Sequence, residues 1–264
     1  MITATADTVG ELAQRALAGE MSAVQALLAQ IKRDHDAHQD TTLTALARLD
    51  EPSLWRDLLD YLATNTWRGH HLPAASAGVM QDLHRLLVQP FGQSRQRRRD
   101  VVREALLQPP PQRRTLAATL AAALHDREAV PAAVTLLSDH HAEVRIAAAR
   151  IVQAVPDASA VDALLQNMEE RDYGVRSAAV AAMRAIGRPA LLALLHRLIE
   201  RPCGSDFRIA VGHALHWLAV GVDPATVAAL AEALRSPAAG VAVPVAADGI
   251  LRWLRDHPDP SVLG

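Results

Sequence analysis

One helical phrase returns four times at an almost fixed interval, and that return limits what this chain can fold into more than any other feature. Arg114, Arg145, Arg176 and Arg208 are spaced by 31, 31 and 32 residues. Each opens a similar run: RTLAATLAAAL, RIAAARIVQAV, RSAAVAAMRAI and RIAVGHALHWL. With the Arg counted as zero, positions two, three, six, seven and ten are apolar in every copy. They read Leu116/Ala117/Leu120/Ala121/Leu124, Ala147/Ala148/Ile151/Val152/Val155, Ala178/Ala179/Ala182/Met183/Ile186 and Ala210/Val211/Ala214/Leu215/Leu218. On a helix of 3.6 residues per turn that spacing makes one stripe. A single unit of this length cannot bury such a stripe alone, so neighbouring units must stack on it.

Composition supports helices rather than strands. Hydrophobic residues reach 50% but aromatics only 3%, so Ala, Leu and Val carry the core. Ala and Leu are strong helix formers, and small side chains let helix axes approach closely. The expected class is all-α, an α-solenoid of helical hairpins. A net charge of −2 supplies no global field to recruit nucleic acid or an acidic membrane. The lone Cys203 cannot form an intrachain disulfide, which fits a reducing, cytoplasmic setting. The opening MITATADTVGEL has no basic segment followed by an apolar run, and no apolar stretch approaches a membrane span. Lys32 is the only lysine, a coding bias expected of a GC-rich, bacterial genome.

Read in order, residues 1–94 are helical but without a defensible period. Two helices are expected over 9–31, with Gly19 closing the first. A polar loop at 33–40, an N-cap at Thr41 or Thr42, a helix after Pro52, a loop at 64–76, a helix over 77–88 and a charged linker at 89–99 follow. Residues 95–257 divide into five helical pairs, the last degenerate, and 258–264 make a frayed tail. Pro131 and Pro244 are placed in first turns, where a missing N–H costs least.

The residues then reach a resemblance. Leu136-Leu137-Ser138-Asp139, a short turn, Val144-Arg145 and Ala148-Ala149 resemble the HEAT repeat, more narrowly the short HEAT-like repeat named after phycobilisome lyases. Asp172 with Val175-Arg176 and Ala178-Ala179 repeats the pattern; Asp206-Phe207-Arg208 shortens its turn, and the Arg114 copy lacks the acid. The resemblance implies a structural ladder in which Asp139, Arg145, Arg176 and Arg208 bond between adjacent repeats. It also implies that the second helix of each pair lines a concave groove.

Positions one, five and eight form the opposite side of the repeated helix. They read Thr115/Thr119/Ala122, Ile146/Arg150/Gln153, Ser177/Ala181/Arg184 and Ile209/His213/His216. The resemblance therefore assigns Arg150, Gln153, Arg184, His213 and His216 to the groove, as a partner-binding set favouring an acidic segment. An ordinary solvated face is the competing reading.

Catalytic sets are incomplete. His213-x-x-His216 has chelating spacing but no Cys or carboxylate nearby in sequence. The ligand-rich DHDAHQD (34–40) lacks a second cluster at a defined spacing. HEAT-like di-iron hydroxylases use His-Glu pairs, and the chain has no His-Glu dipeptide. His-Asp occurs at 35–36 and 125–126, without the further ligands of an HD-type phosphohydrolase. Cys203 has no base placed beside it. Arg95, Arg97, Arg98 and Arg99, with Arg103, Arg113 and Arg114 downstream, could hold phosphates, but a solvated linker explains them as well. The expected function is a non-catalytic protein-interaction scaffold, adaptor or assembly factor without cofactor or metal. A bilin-lyase-like chromophore-attachment factor is the first alternative, and a nucleic-acid-binding repeat the second.

Overall fold

The computed structural model describes residues 6–36, 52–65 and 94–258, and every regular element among them is helical. The chain divides into two compact units, Met1–Asp126 and Arg127–Gly264. The expected cap at Thr41 or Thr42, most of the 64–76 loop with Trp67, Arg68, His70 and His71, the helix over 77–88 and the tail beyond 258 lie outside the described residues.

In the first unit α1 (Ala6–Leu17) and α2 (Met21–Asp36) form a hairpin. Gly19 takes φ +87° between them, a left-handed turn that glycine adopts at no steric cost. The second helix runs on to Asp36, so the start of the expected 33–40 loop is helical. α3 (Pro52–Asn65) packs against α1, against α4 (Ser94–Leu106) and against α5 (Pro111–Ala123). The basic run at 95–99 is thus the first turn and a half of α4, not a linker. Burial of Val101, Val102, Ala105 and Leu106 in its second half holds it there against the unfavourable cations at its N-terminus. α5 carries the first copy of the repeated stripe, all five positions of it buried.

The second unit holds the other three copies. A 3-10 turn (Arg127–Ala129) leads into α6 (Val130–Leu136), which pairs with α7 (Ala142–Ala154). A second 3-10 turn (Ala158–Ala160) leads into α8 (Val161–Met168), which pairs with α9 (Tyr173–Ile186). α10 (Arg188–Glu200) pairs with α11 (Ser205–Leu218), and α12 (Pro224–Arg235) with α13 (Ala239–Asp256). Start signals follow chemistry. Asp172 accepts from the Val175 N–H at 2.9 Å, and Asp223 from Thr226 N at 2.8 Å, while Pro189 and Pro224 occupy first-turn positions.

Layers form because the repeated helices meet through their small side chains. α7 packs on α9 and α9 on α11, while α8 packs on α10. Ala148, Ala179, Ala182 and Ala214 are fully buried. At the start of α9, Gly174 lies so close to α7 that an added Cβ would sit 3.0 Å from Ile146 Cδ1. Thirteen of the fifteen stripe positions in this unit are buried; Ala178 and Ile186 are half-buried.

The last pair departs from the order. α12 packs on α11, and α13 packs on α10, so the two members of the hairpin take each other's rows. Its second helix also begins earlier than Val241. Ser236 Oγ accepts from Ala238 N at 3.1 Å, and the chain winds into helix from Ala239. Pro244 therefore lies inside α13 rather than in its first turn, and one internal N–H bond is missing there.

Candidate functional site

The repeated helices α7, α9 and α11 each turn the side opposite the stripe to solvent. Arg150, Gln153, Arg184, His213 and His216 are all exposed. Five residues assigned to that side by position are not: Thr115 in the first unit is buried with its hydroxyl donating to Pro111 O at 3.1 Å, Ile146 is half-buried over Gly174, and Thr119, Ala122 and Ala181 are half-buried. A threonine that bonds back to its own helix loses its need for water.

Arg184 is brought onto Trp217. Its Cζ lies 3.9 Å from the centroid of the Trp217 ring, across the α9–α11 boundary. His216 meets the same indole edge-on, with centroids 4.8 Å apart and planes at 81°. Trp217 is 48% exposed. Stacking of this kind is worth about 0.5–1 kcal/mol at an exposed site and fixes the guanidinium plane. The side chains of Arg150, Gln153 and His213 make no hydrogen bond or ion pair with any described residue. No Asp or Glu occurs from Arg145 to Ala154, from Arg176 to Ile186 or from Arg208 to Leu218. Past their first turns, which carry Glu143 and Asp206, the exposed side of α7, α9 and α11 holds two arginines and one aromatic plate.

Trp217 was legible in principle. It sits nine positions after Arg208, on the flank where the other copies have Ala123, Ala154 and Ala185. A lone bulky residue in a column of alanines cannot be serving the same close packing.

The repeated arginines behave differently from the groove set. Arg145 donates from Nη1 to Asp139 O at 2.7 Å, and its Nη2 lies 3.6 Å from Glu170 Oε2. Arg176 donates from Nη1 to the carbonyls of Glu170 and Arg171, both at 2.7 Å, and lies 3.9 Å from Asp206 Oδ1. Each thus binds the turn of its own hairpin and faces an acid of the next. Asp139 offers its backbone carbonyl to Arg145, while its carboxylate accepts from His141 N at 2.9 Å. Arg208 Nε is buried without a hydrogen-bond partner among the described residues.

Other candidates have internal employment. Asp126, buried, receives both Arg103 Nε at 2.7 Å and Arg103 Nη2 at 3.0 Å. Arg99 donates to Leu124 O at 3.1 Å, and Arg113 lies 2.9 Å from Asp60. Three of the arginines considered for phosphate binding are thus spent within the first unit. Burial pushes the Cys203 thiol up, outweighing the guanidinium groups of Arg197 and Arg208 that favour its thiolate. That is the opposite of an activated nucleophile. Among the described residues no three His, Cys, Asp or Glu side chains converge as metal ligands, and no helix is long and apolar enough to cross a membrane.

Stacked helical hairpins with a buried small-residue seam define an α-solenoid. The family model for HEAT repeats matches residues 99–184 and 161–250, and the chain belongs to the HEAT-repeat family. No curated protein matches the sequence. HEAT repeats are generally protein-interaction scaffolds.

Proposed function

We propose that this protein is a non-catalytic interaction scaffold that holds an acidic segment of another protein across the exposed side of α7, α9 and α11. One observation carries the reading: Arg150, Arg184, His213 and His216 stand exposed on adjacent helices that carry no acid beyond their first turns. Charged groups so presented steer an acidic partner and set its register, and salt screens them. Arg145 and Arg176 have a separate, structural task, since each donates to carbonyls of its own turn.

Affinity capture with the purified chain as bait tests this. Arg150→Glu with Arg184→Glu abolishes partner recovery while leaving helicity and the unfolding midpoint unchanged. Recovery of the same partner by the double variant would remove this face from consideration.

A further inference from the structure

We propose that the Arg184–Trp217 stack is a recognition subsite for an acidic side chain that has a large apolar neighbour in the same peptide segment. This rests on the scaffold reading and assigns the ligand chemistry at one point of that face. With its face covered by the indole at 3.9 Å, the Arg184 guanidinium keeps its N–H edge open and has no ion pair. A planar fork, dry on one face and already oriented, is matched to a carboxylate that accepts two parallel hydrogen bonds. Beside it, α11 exposes Ile209, His213 and Trp217 at i, i+4 and i+8, which is one ridge of a helix. Ile209 is 54% and Trp217 48% exposed, and Val220, 55% exposed, follows. Three of the seven large exposed hydrophobics among the described residues therefore fall on or beside this one helix. Buried aromatic and Arg anchors dominate binding energy where they cluster, and here the two are in contact. Acid meets Arg184, and the apolar neighbour covers the ridge.

Selection of a random 12-residue peptide library displayed on phage against the whole chain tests the assignment without presupposing a sequence. The expected winners carry Asp or Glu within a few residues of Leu, Ile, Phe or Trp. Measured as labelled synthetic peptides by fluorescence anisotropy, they lose at least tenfold in affinity with Arg184→Gln or with Trp217→Ala, and nothing with Val241→Ser on α13. Winners lacking an acid overturn the subsite, as does a 12-nucleotide thymidine strand bound through Trp217 in their place. Winners sensitive to Arg150→Glu and Arg184→Glu but indifferent to Trp217→Ala leave the scaffold face standing and overturn the stack. If no peptide is enriched while partner capture still fails in the double charge reversal, the stack is again overturned and the face retained.

Discussion

Three hairpins of the second unit and its fourth are built from similar helices, yet they stack in different orders. From α6 to α11 every second helix meets the next second helix, through alanines too small to hold the axes apart. Arg145 and Arg176 also each find an acid in the following hairpin, Glu170 and Asp206 respectively. The final hairpin offers neither. Its turn, Ser236 to Ala238, has no acid, and its helices exchange rows. Stripe periodicity dictates that helices stack, whereas continuation of one order is accompanied by local matches that the last pair lacks. Its outward side bears Val241, 76% exposed, and Val245.

The largest effect is expected where the two orders meet. Leu194, fully buried on α10, sits in the helix that touches both α8 and α13. Leu194→Ala should cost about 2–5 kcal/mol in denaturant unfolding. A loss confined to the last hairpin, seen as a separate early transition, would show that the exchanged pair is a weakly coupled addition. Next comes Ala182→Leu in the regular seam, where overpacking costs about 1–3 kcal/mol. An unchanged midpoint would mean that α9 has room the buried seam denies.

The arginine rungs sharpen the comparison further. Arg176→Met removes two carbonyl bonds and an acidic neighbour, and should destabilise by about 1–2 kcal/mol. Arg208→Met, in the layer with no acid to follow, should cost less; equal losses would make the acid in the next turn irrelevant.

Acid separates the hairpins too. The Asp223 carboxylate caps α12, and its bonds from the Thr226 hydroxyl and N–H hold its pKa below the usual carboxylate range. Stability from a depressed acid is present above its unfolded value, about 3.9, and is lost as pH falls through the lower folded value. Amide exchange at Thr226 and Val227 should therefore accelerate on acidification below about pH 4. Asp223→Asn, which keeps an acceptor, should flatten that dependence. The smallest effects belong to the surface: Ser177→Ala and Val241→Ser should stay within about 0.5 kcal/mol of the parent in the same unfolding measurement.

Much of this was written in the residues. The stripe marked every repeated helix because burial acts on each position separately and leaves a period. Proline marked a helix start for the same local reason at Pro131, whereas Pro244, read the same way, lies inside α13. What stayed hidden depends on partners distant in sequence. Ile146 is half-buried only because Gly174, 28 residues later, lets α9 approach it. Trp217 is exposed because Arg184 of the preceding layer covers one side of it and no helix among the described residues covers the rest. The exchange of rows by α12 and α13 left no mark on the hydrophobic pattern, since a helix buried against α10 needs the same stripe as one buried against α11.

A methyl NOESY spectrum of the protein labelled at Ala, Ile, Leu and Val would probe both orders at once. The structure predicts cross-peaks linking Ala148, Ala179 and Ala210 with the facing methyls of neighbouring repeated helices, and linking Val243, Ile250 and Leu254 of α13 mainly with Leu191, Leu194, Leu195 and Leu198 of α10. Cross-peaks from those α13 methyls mainly to Val211, Leu215 and Leu218 of α11, or none between α7 and α9, would contradict it.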